Sequence, residues 1–226
     1  MAKFLIPAED HARISAAVAA AEARSDGEIA TMVARVSDDY ADWRLLLASI
    51  VPLIKLAVII ALPERFEAAV LWLIGSWHEA LTRGELLFAV LLVQMVSYAV
   101  SWALLRYTPL GIWLTPKRVR IARVRREAVR AFRIGIESRT RAATGILIYL
   151  SLAEHRAELV ADAAINGKVE AADWGEAMAQ LIADVRDGRP GDGIVAAVTM
   201  AGDLLEKHFP RSHDDQNEMP DRLIEL

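Results

Sequence analysis

The stretch GILIYLSL, residues 145–152, is apolar and contains β-branched and aromatic residues, which predicts a strand. The stretch AELVAD, residues 157–162, predicts a second short strand, and residues 153–156 between them have the length of a hairpin connection. Far upstream, GEIATMVARVS (residues 27–37) is largely apolar at both alternating sets of positions, which predicts a strand buried on both faces. Because one strand cannot form a sheet alone, we expect this upstream strand to pair with the downstream strands.

Two long apolar runs lie between these strands. LLLASIVPLIKLAVIIAL (residues 45–62) contains one charge, Lys55, and LLFAVLLVQMVSYAVSWALL (residues 86–105) contains none. At 1.5 Å per residue, helices of about 18–20 residues match the hydrocarbon thickness of a bilayer, about 30 Å. We therefore predict two transmembrane helices that form a hairpin. Residues 66–81 have too short an apolar run to cross and predict an interfacial or re-entrant helix.

Lys55 lies within the first apolar run, where a charge is costly. One interpretation is functional, as part of a transport or proton pathway that a homo-oligomer would have to complete. The other is that Lys55 reaches the interface along its aliphatic stem or pairs with the second helix.

The charge distribution predicts sidedness. The chain has 26 Lys and Arg against 30 Asp and Glu, but residues 106–141 hold 11 basic and 2 acidic side chains. Between the two apolar runs the basic residues are Arg65 and Arg83. One shared sheet requires both flanks on the same side of the bilayer, and the positive-inside rule predicts that this side is the cytoplasm. We predict a multi-pass protein of the cell inner (plasma) membrane with both termini cytoplasmic, whose partners are the lipid bilayer and a membrane protein or a second copy.

Several classes of chemistry are excluded or disfavoured by composition and motifs. The chain contains no cysteine, which excludes disulfides, thiolate nucleophiles and cysteine-based metal sites. The N-terminal apolar stretch is too short for a signal-peptide core. No phosphate-binding glycine loop follows a strand, and no G-x-S-x-G motif occurs. We expect no nucleic-acid partner, because no recognised motif or interleaved aromatic residue accompanies the basic block.

The soluble flanks also contain helical patterns. Apolar residues recur at helical spacing in residues 8–24, 117–136, 172–186 and 193–207, with Asp192 predicted to cap the last helix. The predicted order is a first domain part at residues 1–43, a membrane segment at 44–115, and a second domain part at 116–226. The fold class is thus α/β, interrupted by a transmembrane α-helical hairpin.

The flanks resemble the TPM-domain family, in its bacterial branch whose domain is split by transmembrane helices. That branch has a T-G-x-L-I-Y-x-S-x-x-E pattern followed by A-D, and a tail of the form His-Phe-Pro…Asn-Glu-Leu-Pro-Asp. The first pattern is matched by Thr144, Gly145, Leu147, Ile148, Tyr149, Ser151, Glu154 and Asp162. The tail is matched by His208, Phe209, Pro210, Asn217, Glu218, Pro220 and Asp221, with Met219 in place of the leucine.

The resemblance implies a Rossmann-like α/β sandwich. It also implies, for some relatives, acid-phosphatase activity or the binding of calcium or another divalent cation, and for others a non-catalytic role in assembly. It further indicates that Asn217, Glu218 and Asp221 dock onto the domain, whereas composition alone favours a solvated tail.

Candidate site residues follow the predicted strands. Asp38 and Asp39 follow the first strand, Glu154 follows the second and Asp162 the third. Clustered carboxylates at the carboxyl ends of strands suit a divalent cation, Ca²⁺ or Mg²⁺, that activates water for hydrolysis of a phosphate ester. In the alternative interpretation Asp38 and Asp39 belong to the acidic start of a helix and Glu154 is a polar hairpin residue.

Two functions are therefore expected. The first is an inner-membrane protein whose TPM-like domain has an accessory or scaffolding role. The second is a phosphatase for phosphomonoesters that depends on a divalent metal, with Asp38, Asp39 and Glu154 as candidate catalytic residues and Asp162 as a further candidate metal ligand.

Overall fold

The structure is a computed structural model that describes residues 6–75, 80–135, 144–212 and 220–226. Its internal contacts divide the chain into two compact units. The first, which we call the α/β unit, comprises Met1–Asp39 and Lys117–Leu226, and the second, the helical unit, comprises Tyr40–Pro116. The α/β unit is therefore built from two stretches of chain that are separated in sequence by the helical unit.

The α/β unit contains a mixed sheet with the strand order β3-β2-β1-β4. β1 is parallel to β2 and to β4, whereas β2 and β3 form an antiparallel hairpin. The strands are β1 Glu28–Ala34, β2 Gly145–Ser151, β3 Arg156–Ala161 and β4 Ile224–Glu225.

The pairing of β1 with β2 confirms that the two flanks complete one sheet. In the register, Ile29 lies opposite Ile146 and Val33 opposite Leu150. β1 is an interior strand, since it has β2 on one side and β4 on the other. All residues of β2 are buried, and so are those of β1 except for the partly buried Met32. This agrees with the prediction for β1, whose two alternating sets of residues are both largely apolar.

Helices account for the rest of the described architecture. The helices predicted from periodicity in both flanks are present, with ends shifted by a few residues. They are α1 Ala8–Glu22, α2 Ala41–Ala61, α3 Pro63–Ile74, α4 Arg83–Tyr107, α5 Leu110–Leu114, α6 Lys117–Gly135, α7 Ala163–Asn166, α8 Ala171–Arg186 and α9 Pro190–His208.

The sheet has an apolar core on each face. On one face Ile29, Val33 and the alternate residues of β2 pack against helices α1, α8 and α9. On the other face, Ala30 and Tyr149 pack against the apolar side of α6, which presents Val124, Ala128 and Phe132. The alternation of β-strand side chains thus feeds two separate cores.

In the helical unit α2 packs against α4. Both helices are long and apolar enough to cross a bilayer, with mean hydropathies of 2.2 and 1.9 over 18-residue windows. Only 6% of each window is buried within the structure. The Lys55 ammonium donates a hydrogen bond to Ser97 Oγ at 2.7 Å, which agrees with the helix-pairing interpretation of this charge.

Some local predictions were wrong or incomplete. Arg189, and not Asp192, is the N-cap of α9, because Pro190 occupies the first helical turn, where its fixed φ favours helix initiation. The short elements α5, α7 and β4 have no clear pattern in the sequence. The helix predicted at 66–81 overlaps α3, which begins at Pro63 and ends at Ile74. Residues 76–79 of that prediction lie outside the described residues, and whether the helix is interfacial or re-entrant stays a prediction.

Candidate functional site

The candidate site lies where β1 and β2 end. Because the strands are parallel neighbours, their carboxyl ends meet at one edge of the sheet. Their pairing continues past the strand ends, since Leu152 N–H donates to the Ala34 carbonyl at 3.0 Å and Ala153 N–H to the Arg35 carbonyl at 2.9 Å. The loop after β1 and the turn after β2 are therefore held side by side.

Glu154 is the most buried acidic residue of this edge, with 4% of its surface exposed. One carboxylate oxygen accepts a hydrogen bond from the backbone N–H of Ser37 at 3.1 Å. The other accepts a short hydrogen bond from the hydroxyl of the fully buried Ser151. Glu154 thus lies beside the segment that contains Asp38 and Asp39, and both of its oxygens have donors from the protein.

Tyr149 extends this network towards the second core. Its hydroxyl and the hydroxyl of Ser37 are 3.0 Å apart. Burial raises the pKa of Tyr149, with the nearby carboxylates of Glu127 and Glu154 adding to the effect, and the hydrogen bond to Ser37 opposes it. The phenol therefore stays protonated at neutral pH, which suits it to hydrogen bonding and not to action as a base.

Asp38 is paired with a cation from α6. The Arg123 guanidinium donates to its carboxylate at 2.7 Å, and both side chains are largely buried. Asp39, the next residue, is exposed. The ion pair joins the loop after β1 to α6, on the same side of the sheet as Tyr149.

Asp162 lies apart from these residues. It is the N-cap residue of α7, and its carboxylate accepts the N–H of Gly145 at 2.9 Å, at the start of β2. Glu154 lies beyond the other end of that seven-residue strand, about 20 Å away at the usual rise per residue. The structure therefore brings Glu154 to the segment of Asp38 and Asp39, but not Asp162.

The carboxylates of this edge are engaged with donors of the protein itself. Within the described ranges, no group of three or more Asp, Glu or His side chains is placed to hold a metal ion. Both oxygens of Glu154 accept hydrogen bonds from protein donors, and Asp38 faces a guanidinium. A cation at this edge would require these contacts to be exchanged for metal ligation.

Four residues of the network were not candidate site residues from the sequence, namely Ser37, Arg123, Ser151 and Tyr149, although Ser151 and Tyr149 belong to the sequence pattern that carries the family resemblance. The polar role of Tyr149 could have been predicted from the sequence, because the phenol of a tyrosine in a fully buried strand needs a hydrogen-bond partner. The roles of Ser37 and Arg123 could not, since their partners lie 112 and 85 residues away in the chain.

Another buried carboxyl group lies near the start of β1. Glu22, at the end of α1, is 8% exposed and accepts the N–H of Ile29 at 2.8 Å. Burial raises the pKa of Glu22 to about 8; the nearby carboxylates of Glu28 and Asp221 add to this effect, and the hydrogen bond from Ile29 opposes it. Asp221 belongs to the tail predicted to dock, while Asn217 and Glu218 of that prediction lie outside the described residues.

Comparison with known proteins yields a likeness of fold. No family model matches the chain, and no curated protein matches it. A solved structure, the NMR structure of the BA42 protein from the psychrophilic bacterium Bizionia argentinensis, is similar with a TM-score of 0.57 and 15% sequence identity. The similarity covers 100% of this chain and 99% of that chain. At this level of identity, it concerns the fold alone.

Proposed function

We propose that this protein is anchored in the inner (plasma) membrane by the hairpin of α2 and α4, and that its α/β unit serves in the cytoplasm as an accessory or scaffolding module. The main support for this proposal is that the apolar side chains of these two helices are exposed. Side chains such as Leu53, Ile60 and Phe88 are 63%, 72% and 66% exposed. Burial of apolar surface is worth about 25 cal/mol per Å², so a face of this extent favours lipid over water.

The sidedness follows from the sheet and from charge. Since β1 and β2 are neighbours, the two flanks lie on one side of any bilayer that the hairpin enters. Eleven basic residues follow the second apolar run between residues 106 and 141, against Arg65 and Arg83 between the two apolar runs. The shared sheet thus requires one side for both flanks, and the charge bias favours the cytoplasm as that side.

The helix between the two spans is suited to the membrane surface. α3 has 12 residues, about 18 Å at the usual rise, which is too short to cross. Its last turn exposes Trp72 at 83%, Leu73 at 76% and Ile74 at 58%. Aromatic and aliphatic side chains of this kind are typical of an interfacial helix.

The role of the α/β unit rests on resemblance and on site chemistry. Helices on both faces of the sheet are consistent with a Rossmann-like sandwich, and the sequence patterns given above resemble the TPM-domain family. Two of the carboxylates that would serve catalysis instead make structural contacts: Glu154 accepts from Ser37 and Ser151, and Asp38 accepts from Arg123 of α6. These contacts favour an accessory role.

A phosphatase that depends on a divalent metal is the second hypothesis. The observation in its favour is that Glu154 lies beside the segment of Asp38 and Asp39 at the carboxyl ends of parallel strands. Metal ligation there would first require release of the Arg123 contact.

Cysteine labelling tests the anchor, because the natural chain contains no cysteine. In intact cells, Ala80→Cys between the spans should react with an impermeant maleimide. Ala179→Cys on α8 and Lys207→Cys on α9, both exposed positions, should react only after permeabilisation. Reaction of Ala179→Cys in intact cells, or recovery of the chain in the aqueous fraction, would contradict the proposal.

Hydrolysis of p-nitrophenyl phosphate by the full chain in detergent, with Mg²⁺ or Ca²⁺, separates the two hypotheses. The accessory role predicts the same rate for the natural chain and for the double variant Asp38→Ala, Glu154→Gln. A metal-dependent rate that the double variant loses while keeping its circular dichroism spectrum would establish the phosphatase instead.

A further inference from the structure

The outer side of α6 carries an unusual density of positive charge. The helix has eight basic residues and one acidic residue, a net charge of 8 − 1 = +7. Its apolar side, Val124, Ala128 and Phe132, is buried against the sheet. Four exposed arginines line a shallow groove of about 650 Å³ on the remaining surface, together with Val129 and Ile134. We call this surface the arginine face; its arginines are Arg125, Arg126, Arg130 and Arg133.

We propose that the arginine face binds the headgroups of anionic phospholipids. This inference rests on the proposed function, since it requires the hairpin to lie in a bilayer. Guanidinium groups are planar, permanently charged and present paired donors that match phosphate oxygens. A row of such groups on one helix complements the negative surface of a cytoplasmic leaflet.

The charge of this face is only partly neutralised within the protein. Arg125 contacts Glu158 at 3.3 Å and the Leu159 carbonyl at 3.0 Å, and Arg130 lies 3.9 Å from Glu127. Arg126 and Arg133 form no ion pair with any other residue that the structure describes. At least two guanidinium groups are thus available to an external anion.

The apolar members of the face favour lipid over nucleic acid. Ile134 is 70% exposed beside Arg133 and can enter the boundary between headgroups and acyl chains. Proteins that bind single-stranded nucleic acid usually stack bases on exposed aromatic rings. The one aromatic residue of α6, Phe132, is only 5% exposed and faces the core.

The position of α6 in the sequence favours the same ligand. Residues 108–116 separate it from α4, the second proposed span. Basic segments directly beyond a transmembrane helix on the cytoplasmic side are attracted to anionic lipid, and the attraction falls off within a Debye length.

The test uses the full chain with Ile134→Cys in nanodiscs of phosphatidylcholine alone or of an equimolar mixture with phosphatidylglycerol. The rate of maleimide labelling is the readout, and Ala179→Cys on α8 is the control position. We expect labelling at position 134 to be roughly tenfold slower in the anionic discs, with no change at position 179. High salt should remove the difference.

Matched charge variants identify the residues responsible. Arg126→Gln, Arg130→Gln and Arg133→Gln together should remove the protection. Arg186→Gln, Lys207→Gln and Arg222→Gln, which remove the same charge from exposed positions elsewhere, should retain it. Protection that persists in the first variant, or equal rates in both kinds of disc, would overturn the proposal.

Other outcomes separate failure of the lipid proposal from failure of the membrane anchor. Protection by an oligouridylate in neutral discs, equal to that by phosphatidylglycerol, would assign the face to nucleic acid and overturn the lipid proposal. Failure of the chain to enter either disc would overturn the membrane anchor, and this proposal with it. Entry into both discs with equal labelling rates would overturn this proposal alone.

Discussion

Carboxylates at the ends of β2 accept hydrogen bonds from backbone and side-chain donors of neighbouring residues. Glu154 accepts from Ser37 N–H and Ser151 Oγ, so it joins the turn after β2 to the loop after β1. Asp162 accepts the Gly145 N–H at the opposite end of β2. Each contact satisfies a donor that burial would otherwise leave unpaired, at a cost of about 1–3 kcal/mol. The same residue types that suggested a metal site therefore have a structural use here.

Glu22 provides a prediction about pH. The pKa of its carboxyl is raised by burial from 4.5 to about 8 in the folded chain. Between these values the folded state holds a proton that the unfolded chain releases, so the free energy of unfolding falls as pH rises. Glu22→Gln removes the ionisation and retains an oxygen acceptor for the Ile29 N–H. We expect it to stabilise the α/β unit by up to about 4 kcal/mol near pH 8 and to have little effect near pH 4.

Pulse proteolysis in urea, on the full chain in mild detergent, measures this effect at the two pH values. Glu9→Gln, an exposed glutamate of the same helix, is the matched control and should leave both urea midpoints unchanged. An equal effect of Glu22→Gln at both pH values would show that folding does not shift the pKa of this carboxyl, which would contradict the prediction.

At the scale of elements, the contact of α1 with α9 depends on small residues. A Cβ placed on Gly202 of α9 would lie 2.6 Å from the Cβ of Ala21 on α1. Gly202→Ala should therefore force the two helices apart and destabilise the α/β unit by about 1–3 kcal/mol, despite the higher helix propensity of alanine.

The matched control is Gly175→Ala on α8, an exposed helical position. Apart from the local helix backbone, no atom of the described residues lies within 4 Å of the added methyl group. Here only propensity acts, and we expect stabilisation by about 0.5–1 kcal/mol. Urea midpoints that move in the same direction for both variants would contradict the packing argument.

The elements also show which features a sequence can predict. The pairing of β1 with β2 was predictable, because a buried strand needs neighbours and only one other region offered strands. β4 was not, since its two residues are defined by long-range bonds such as Leu226 N–H to the Val33 carbonyl at 2.9 Å. The contacts of Ser37 and Arg123 were hidden for the same reason. Local periodicity carries no information about partners that are distant in the chain.

At the scale of the whole molecule, the α/β unit contains its complete sheet and both of its apolar cores. The sheet and both apolar cores consist of residues from Met1–Asp39 and Lys117–Leu226. The helical unit enters the chain between β1 and β2, where other parallel strand pairs have an ordinary crossover connection. It is therefore best regarded as an insertion into a crossover that α6 completes.

This view predicts that the helical unit can be excised. Asp38 is held by Arg123, which lies six residues, or about 9 Å, along α6 from Lys117. A flexible linker of about eight residues spans roughly 27 Å and can therefore join Asp39 to Lys117 without strain. We expect the joined protein to be soluble without detergent and monomeric, with hydrogen-exchange protection in β1 and β2 as in the full chain. A second protein that also carries Ile146→Asp, a charge in the core beside Ile29, should lose this protection. Aggregation of the joined protein, or protection of β2 without β1, would mean that the helical unit is needed for the sheet to form.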